Sequence, residues 1–88
     1  MSELGTARLE LKERKKTLDE IPREVLTALI KQDRGIEGDI SILQIDNEES
    51  KIQAYVKEFE DEFWYSFEEG EFKLFSCTYE IKRPTTAN

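Results

Sequence analysis

Hydrophobic residues in the first third of the chain recur at helical spacing. Ile21, Val25 and Leu29, with Leu26 and Ile30 beside them, follow i, i+4, i+8, while Arg23, Glu24, Thr27 and Lys31 stay polar. The pattern predicts an amphipathic helix over residues 20–33. Pro22 suits its first turn, where the missing N–H goes unused. Thr17 or Asp19 is placed to cap it, and Thr17-x-x-Glu20 matches the capping-box pattern. Gly35 is placed to stop it in the left-handed conformation.

Upstream, residues 6–16 carry two conflicting patterns. Ala7, Leu9 and Leu11 alternate with Arg8, Glu10 and Lys12, which is strand periodicity, whereas Leu4, Leu11 and Leu18 form a sparse helical stripe. The cleaner alternation favours a strand over residues 7–13.

From residue 39 the pattern is β. Segments 40–45, 52–59, 63–67 and 72–81 are rich in β-branched and aromatic residues. Polar turns at 46–50, 60–62 and 68–71 separate them, with Gly70 suited to a left-handed hairpin position. Loops this short join antiparallel neighbours. The expected fold is therefore α+β: a four-stranded antiparallel β-meander, with a fifth N-terminal strand as an option, packed against one amphipathic helix. If Phe59 pairs with Phe63 and Phe67 with Phe72, both sheet faces are apolar. Tyr55, Phe59, Phe63, Tyr65, Phe67, Phe72 and Leu74 share one face, and Ile52, Ala54, Val56, Trp64, Phe75, Cys77, Tyr79 and Ile81 the other. A single helix covers one face only. The second then calls for curvature, the N-terminal segment or another protein chain.

The length of 88 residues bounds the chain to one domain, taken as 1–83 with a flexible tail at 84–88. One cysteine, Cys77, permits no internal disulfide and favours a reducing compartment. No apolar run exceeds three residues, and the N-terminus carries no leader pattern, so the expectation is a cytoplasmic protein without a membrane span.

The absence of histidine narrows the chemistry most. It removes the usual general base and the commonest transition-metal ligand, so histidine-dependent triads and conventional zinc sites are excluded. Cys77, between Ser76 and Thr78, has no neighbouring base to activate its thiol. The expectation is a non-enzyme with no catalytic residue, cofactor or metal.

Net charge is −7, unevenly placed: residues 1–34 hold eight bases and seven acids, and residues 35–88 hold five bases and thirteen acids. The basic run at 12–16 is short and interrupted by Glu13, which on an acidic protein argues against nucleic acid as a partner. In a meander, alternate turns emerge at the same end. Asp46, Glu48, Glu49, Glu68, Glu69 and Glu71 then gather at one end, opposed by Lys51 and Lys73. Glu58, Glu60, Asp61 and Glu62 gather at the other, beside Lys57. Acids around an aromatic anchor, here Trp64 or Tyr65, suit a basic partner. The sequence thus points to a small acidic binding protein, a regulator or inhibitor that docks on a basic protein surface. The alternative is an assembly subunit that self-associates or joins a hetero-oligomer through its second sheet face.

Overall fold

The computed structural model describes residues 3–76. Two helices come first, α1 (Glu3–Lys12) and α2 (Arg23–Arg34), with a 3-10 turn at Leu18–Glu20 between them. Four strands follow: β1 (Ile40–Asp46), β2 (Lys51–Val56), β3 (Asp61–Glu68) and β4 (Glu71–Ser76). They form one antiparallel sheet in the order β1-β2-β3-β4, so β1 and β4 are its edges.

Helix α2 forms on the predicted apolar spacing but starts at Arg23 rather than residue 20, with Pro22 at its N-cap instead of in its first turn. Val25, Leu26, Leu29 and Ile30 are buried, as is Ile21 just ahead of it. Gly35 ends the helix at φ 65°, and its N–H donates to the Lys31 carbonyl. The Thr17–Glu20 pair caps the 3-10 turn rather than α2: the Thr17 N–H donates to Glu20 Oε1 at 2.9 Å.

The strand expected over residues 7–13 is a helix instead, so two helices are present and the sheet has four strands among the described residues. Good helix formers dominate this segment, and tertiary packing decides between the two patterns. Leu4, Ala7 and Leu11, spaced three and four apart, lie against the core, while Leu9, essential to the alternation, is exposed. The helix closes with a Schellman pair: Lys15 N–H to Glu10 O at 2.8 Å and Arg14 N–H to Leu11 O at 3.1 Å. Arg14 therefore occupies the left-handed position, φ 60°, that glycine usually takes.

Strand β2 ends at Val56, three residues before its expected end, and the loop lies at 57–60 rather than 60–62. The register is Ile52↔Tyr65, Ala54↔Phe63 and Val56↔Asp61, not Phe59 opposite Phe63. Side chains alternate with period two, so this displacement reassigns the faces. Ile52, Ala54 and Val56 join Phe63, Tyr65, Phe67 and Phe72 under the helices. Lys51, Gln53, Tyr55, Glu62, Trp64, Ser66 and Lys73 take the other face. The expectation of a sheet apolar on both sides is thereby overturned for the described residues. The expected run of β4 to residue 81, with Cys77, Tyr79 and Ile81, and the tail at 84–88 lie outside the described residues.

A polar latch joins the helices to the last hairpin. Asp33 Oδ2 accepts from Arg8 Nη1 at 2.9 Å and from the Phe72 N–H at 2.8 Å. The same Arg8 nitrogen donates to the Gly70 carbonyl at 2.8 Å, and Arg8 Nη2 donates to Gln32 Oε1 at 2.9 Å. One donor of the hairpin, the Phe72 N–H, and one acceptor, the Gly70 carbonyl, are thus met by α2 and α1.

Burial pushes the Tyr65 hydroxyl above its ordinary value, an effect the Arg34 charge partly offsets. The folded state therefore holds this proton more tightly than the unfolded chain. The linked stability is full below about pH 10 and is lost as pH rises beyond it. Tyr65→Phe is expected to flatten the alkaline decline, read as urea midpoints on either side of about pH 10. Equal slopes in the two proteins would assign the decline to other groups.

Candidate functional site

The meander places its first and third turns at one end of the sheet and its middle turn at the other, as the loop lengths require. The two ends differ in charge for reasons local to each.

At the middle-turn end, residues 57–60 form a tight loop closed by Phe59 N–H to Val56 O and Glu60 N–H to Lys57 O, both at 3.1 Å. Glu60 sits at φ 53° in the left-handed region. The α2–β1 connection joins this loop, because Ile40 at the start of β1 pairs with Val56 at the end of β2. The Lys57 N–H donates to the Asp39 carbonyl at 3.1 Å, and Glu58 Oε1 accepts the Glu37 N–H at 2.9 Å. Glu37 and Asp39 thereby join Glu58, Glu60, Asp61 and Glu62, giving six carboxylates to the one base Lys57 over residues 36–39 and 57–62. None of the six makes an ion pair among the described residues. Their polar contacts are with neutral groups: Asp61 Oδ1 accepts the Glu62 N–H at 2.7 Å, and Glu62 Oε1 accepts from Gln53 Nε2 at 3.2 Å. Within this acidic rim Phe59 is 54% exposed, its ring edge-on to Phe63 at 5.8 Å between centroids. Phe63 in turn lies 6.2 Å from Tyr65, so the aromatic row runs from solvent into the core.

Trp64 and Tyr65, expected as anchors, are 7% and 3% exposed. Tyr65 belongs to the core beneath the helices, and Trp64 is buried on the opposite face. The exposed ring at this end belongs to Phe59.

At the other end, Asp46, Glu48, Glu49, Glu68, Glu69 and Glu71 are brought together as the turn order predicts, but they are not opposed by Lys51 and Lys73 alone. Lys51 Nζ lies 3.3 Å from Glu49 Oε1 and 4.4 Å from the centre of the Phe75 ring. Lys73 pairs with Glu69 at 3.5 Å. Ser66 Oγ donates to Glu68 Oε2 at 2.9 Å, and Asp46 Oδ1 accepts the Glu49 N–H at 3.1 Å. The segment after α1 also comes here: Lys12, Arg14 and Lys16 line a cleft of about 310 Å³ together with Glu48 and Glu69. This end is mixed in charge, whereas the middle-turn end is acidic throughout.

Sequence reasoning missed Phe59 as the exposed ring and Glu37 and Asp39 as members of the acidic end. The meander itself held the second signal: whatever precedes β1 must sit beside whatever follows β2. Among the described residues no group of three or more carboxylates or thiols is arranged to hold a metal ion, and no helix is long and apolar enough to cross a membrane. Comparison with protein-family models, with curated proteins and with solved structures found no match, which leaves the geometry of these two ends as the ground for a functional reading.

Proposed function

We propose that the protein is a small non-enzymatic binding protein, a regulator or inhibitor, that docks its middle-turn end on a basic protein surface. The observation that carries this reading is the half-exposed Phe59, edge-on to Phe63 and accompanied by six carboxylates without ion pairs among the described residues. Gathered like charges cost folding stability, so solubility alone gives no reason to concentrate them. An aromatic anchor within a charged rim is the usual composition of a docking site, the ring supplying binding energy and the charges steering approach.

Glu58, Glu60, Asp61 and Glu62 are the steering set in this reading, with Glu37 and Asp39 beside them. Glu48, Glu49, Glu68 and Glu69 play a lesser part because bases face them. Tyr65 takes part only through the buried end of the Phe59–Phe63–Tyr65 row, and Trp64, on the opposite face beside Asp46 and Glu48, takes none. The test uses a partner isolated by affinity capture and then purified. Reversing the charges of Glu60, Asp61 and Glu62 is expected to slow association by about 10-fold or more at low salt and to remove its salt dependence. Reversing Glu48, Glu49, Glu68 and Glu69 is expected to change the on-rate little. Phe59→Ala should act on the off-rate instead. An unchanged on-rate in the first variant from low to high salt would assign the acids to solubility.

The second reading, an assembly subunit, draws on the edge strands, where Leu43 of β1 and Leu74 of β4 are about half exposed. Concentration-dependent sedimentation that persists at high salt would favour it over the first.

A further inference from the structure

We propose that the cleft between residues 11–18 and the first and third hairpin turns binds a small amphoteric carboxylate, of amino-acid to dipeptide size. This site is independent of the acidic end and lies at the opposite end of the sheet.

Its floor is apolar, made by the buried Leu11 and Leu18 and the half-buried Phe67. Lys12 and Arg14 stand on one wall and Glu48 on the other. Neighbouring charges are taken up locally, Lys15 by Glu13 at 3.3 Å, Lys16 by Glu10 at 3.7 Å and Glu69 by Lys73 at 3.5 Å. Lys12, Arg14 and Glu48 make no ion pair or side-chain hydrogen bond among the described residues. Two cations and one anion, all solvent-exposed, therefore border one apolar floor with no protein partner among the described residues. An α-amino acid or dipeptide has the matching layout: a carboxylate for the guanidinium fork of Arg14 and the ammonium of Lys12, an ammonium for Glu48, and an apolar side chain for the floor. The volume, at the lower end of small-molecule sites, limits the ligand to about this size.

The backbone brings the basic wall to the third turn. The Lys12 stem lies over Gly70, its Cδ 3.4 Å from where a β-carbon would sit, an ordinary van der Waals distance, and it is the turn's φ of 84° that favours glycine there. Arg14 keeps its left-handed backbone, φ 60°, at the helix-closing position where glycine is less strained.

The test is an amide chemical-shift titration of the full chain with leucyl-leucine as probe, followed in parallel with its N-acetylated, C-amidated form. Shifts are expected at residues 11–18, 47–50 and 67–70, with the capped form at least about 10-fold weaker. Arg14→Gly should weaken the dipeptide by about 10-fold while its thermal midpoint stays at or above that of the wild type, which separates ligand loss from unfolding. Glu48→Gln should weaken leucyl-leucine several-fold and leave N-acetyl-leucyl-leucine, which lacks the ammonium, unchanged. The proposal is overturned if no shifts appear by about 20 mM dipeptide or if the capped form binds equally. It is also overturned if inorganic phosphate binds as tightly as the dipeptide with no effect of Glu48→Gln, since that is a plain anion site.

Discussion

Phe72→Ala is expected to cost about 3–5 kcal/mol of folding stability, a large share of what a domain of this size holds. Phe72 is fully buried as the second residue of β4, and its ring meets Phe67 edge-on with 5.0 Å between centroids. Helix α2 packs directly on this edge strand, so the ring is the contact through which helix and hairpin share one core. The substitution leaves the Phe72 N–H and its bond to Asp33 in place, so the loss measures packing rather than hydrogen bonding. The alanine also opens a cavity that the backbone, fixed on both sides by Asp33 and by the β3 ladder, has little freedom to fill. Phe72→Leu keeps most of the volume and should cost less than about 1.5 kcal/mol. Both values are read from denaturant unfolding at unchanged m. A loss below about 1 kcal/mol for the alanine would mean that α2 does not close over β4.

The elements with strong local signals were legible in the sequence. Helix α2 follows from five apolar residues at helical spacing and a glycine placed to end it, and the same five residues are buried in the fold. The meander follows from short polar loops. Two readings failed for a common reason: local pattern was asked to settle what long-range packing settles. Residues 7–13 alternate like a strand, but Arg8 finds its partners 24 to 62 residues away, and only a helix turns Ala7 and Leu11 inward while Arg8 meets Asp33 and Gly70. The middle turn was placed on the acids at 60–62 because charge marks loops. The chain turns at 57–60 instead, hiding a loop phenylalanine within what looks like strand composition, while Asp61 and Glu62 pair across the ladder with Val56 and Tyr55. That displacement carried Ile52, Ala54 and Val56 to the helix side, so that among the described residues of β2 and β3 the second face keeps Tyr55 and Trp64 amid polar neighbours. The candidate site was legible as two acidic ends, but not the difference between them: the place of Glu37 and Asp39 follows from the meander, whereas Lys12 and Arg14 reach the other end only through the tertiary fold.

Asp33→Ala is expected to destabilise the protein by about 2–4 kcal/mol, although it removes only one small side chain. The carboxylate is 8% exposed and serves two donors, Arg8 Nη1 at 2.9 Å and the Phe72 N–H at 2.8 Å. Its loss leaves the backbone donor of a buried strand residue without a partner and leaves Arg8 with only the neutral acceptors Gly70 O and Gln32 Oε1. Arg8 is 26% exposed and regains some water, which sets the figure below that of a fully buried pair. Asp33→Asn keeps an oxygen for the Phe72 N–H and gives up only the charge, so it should cost less, about 1–2 kcal/mol. Arg8→Ala should overlap with Asp33→Ala, so the double variant is expected to lose less than the two singles combined, with a coupling of about 1–3 kcal/mol. Amide exchange at Phe72 gives a local reading: protection should fall in Asp33→Ala more than global stability requires, and be largely kept in Asp33→Asn. Additive singles would show that the two side chains act separately and that the latch is not a unit. The latch also bears on the cleft, because Arg8 fixes the Gly70 carbonyl on the turn over which the Lys12 stem lies. Loosening it frees the third turn from α1 before it unfolds the core. Ligand affinity in Asp33→Ala should therefore fall under conditions where the protein is still folded, and a folded variant with full affinity would show that the basic wall stands without the latch.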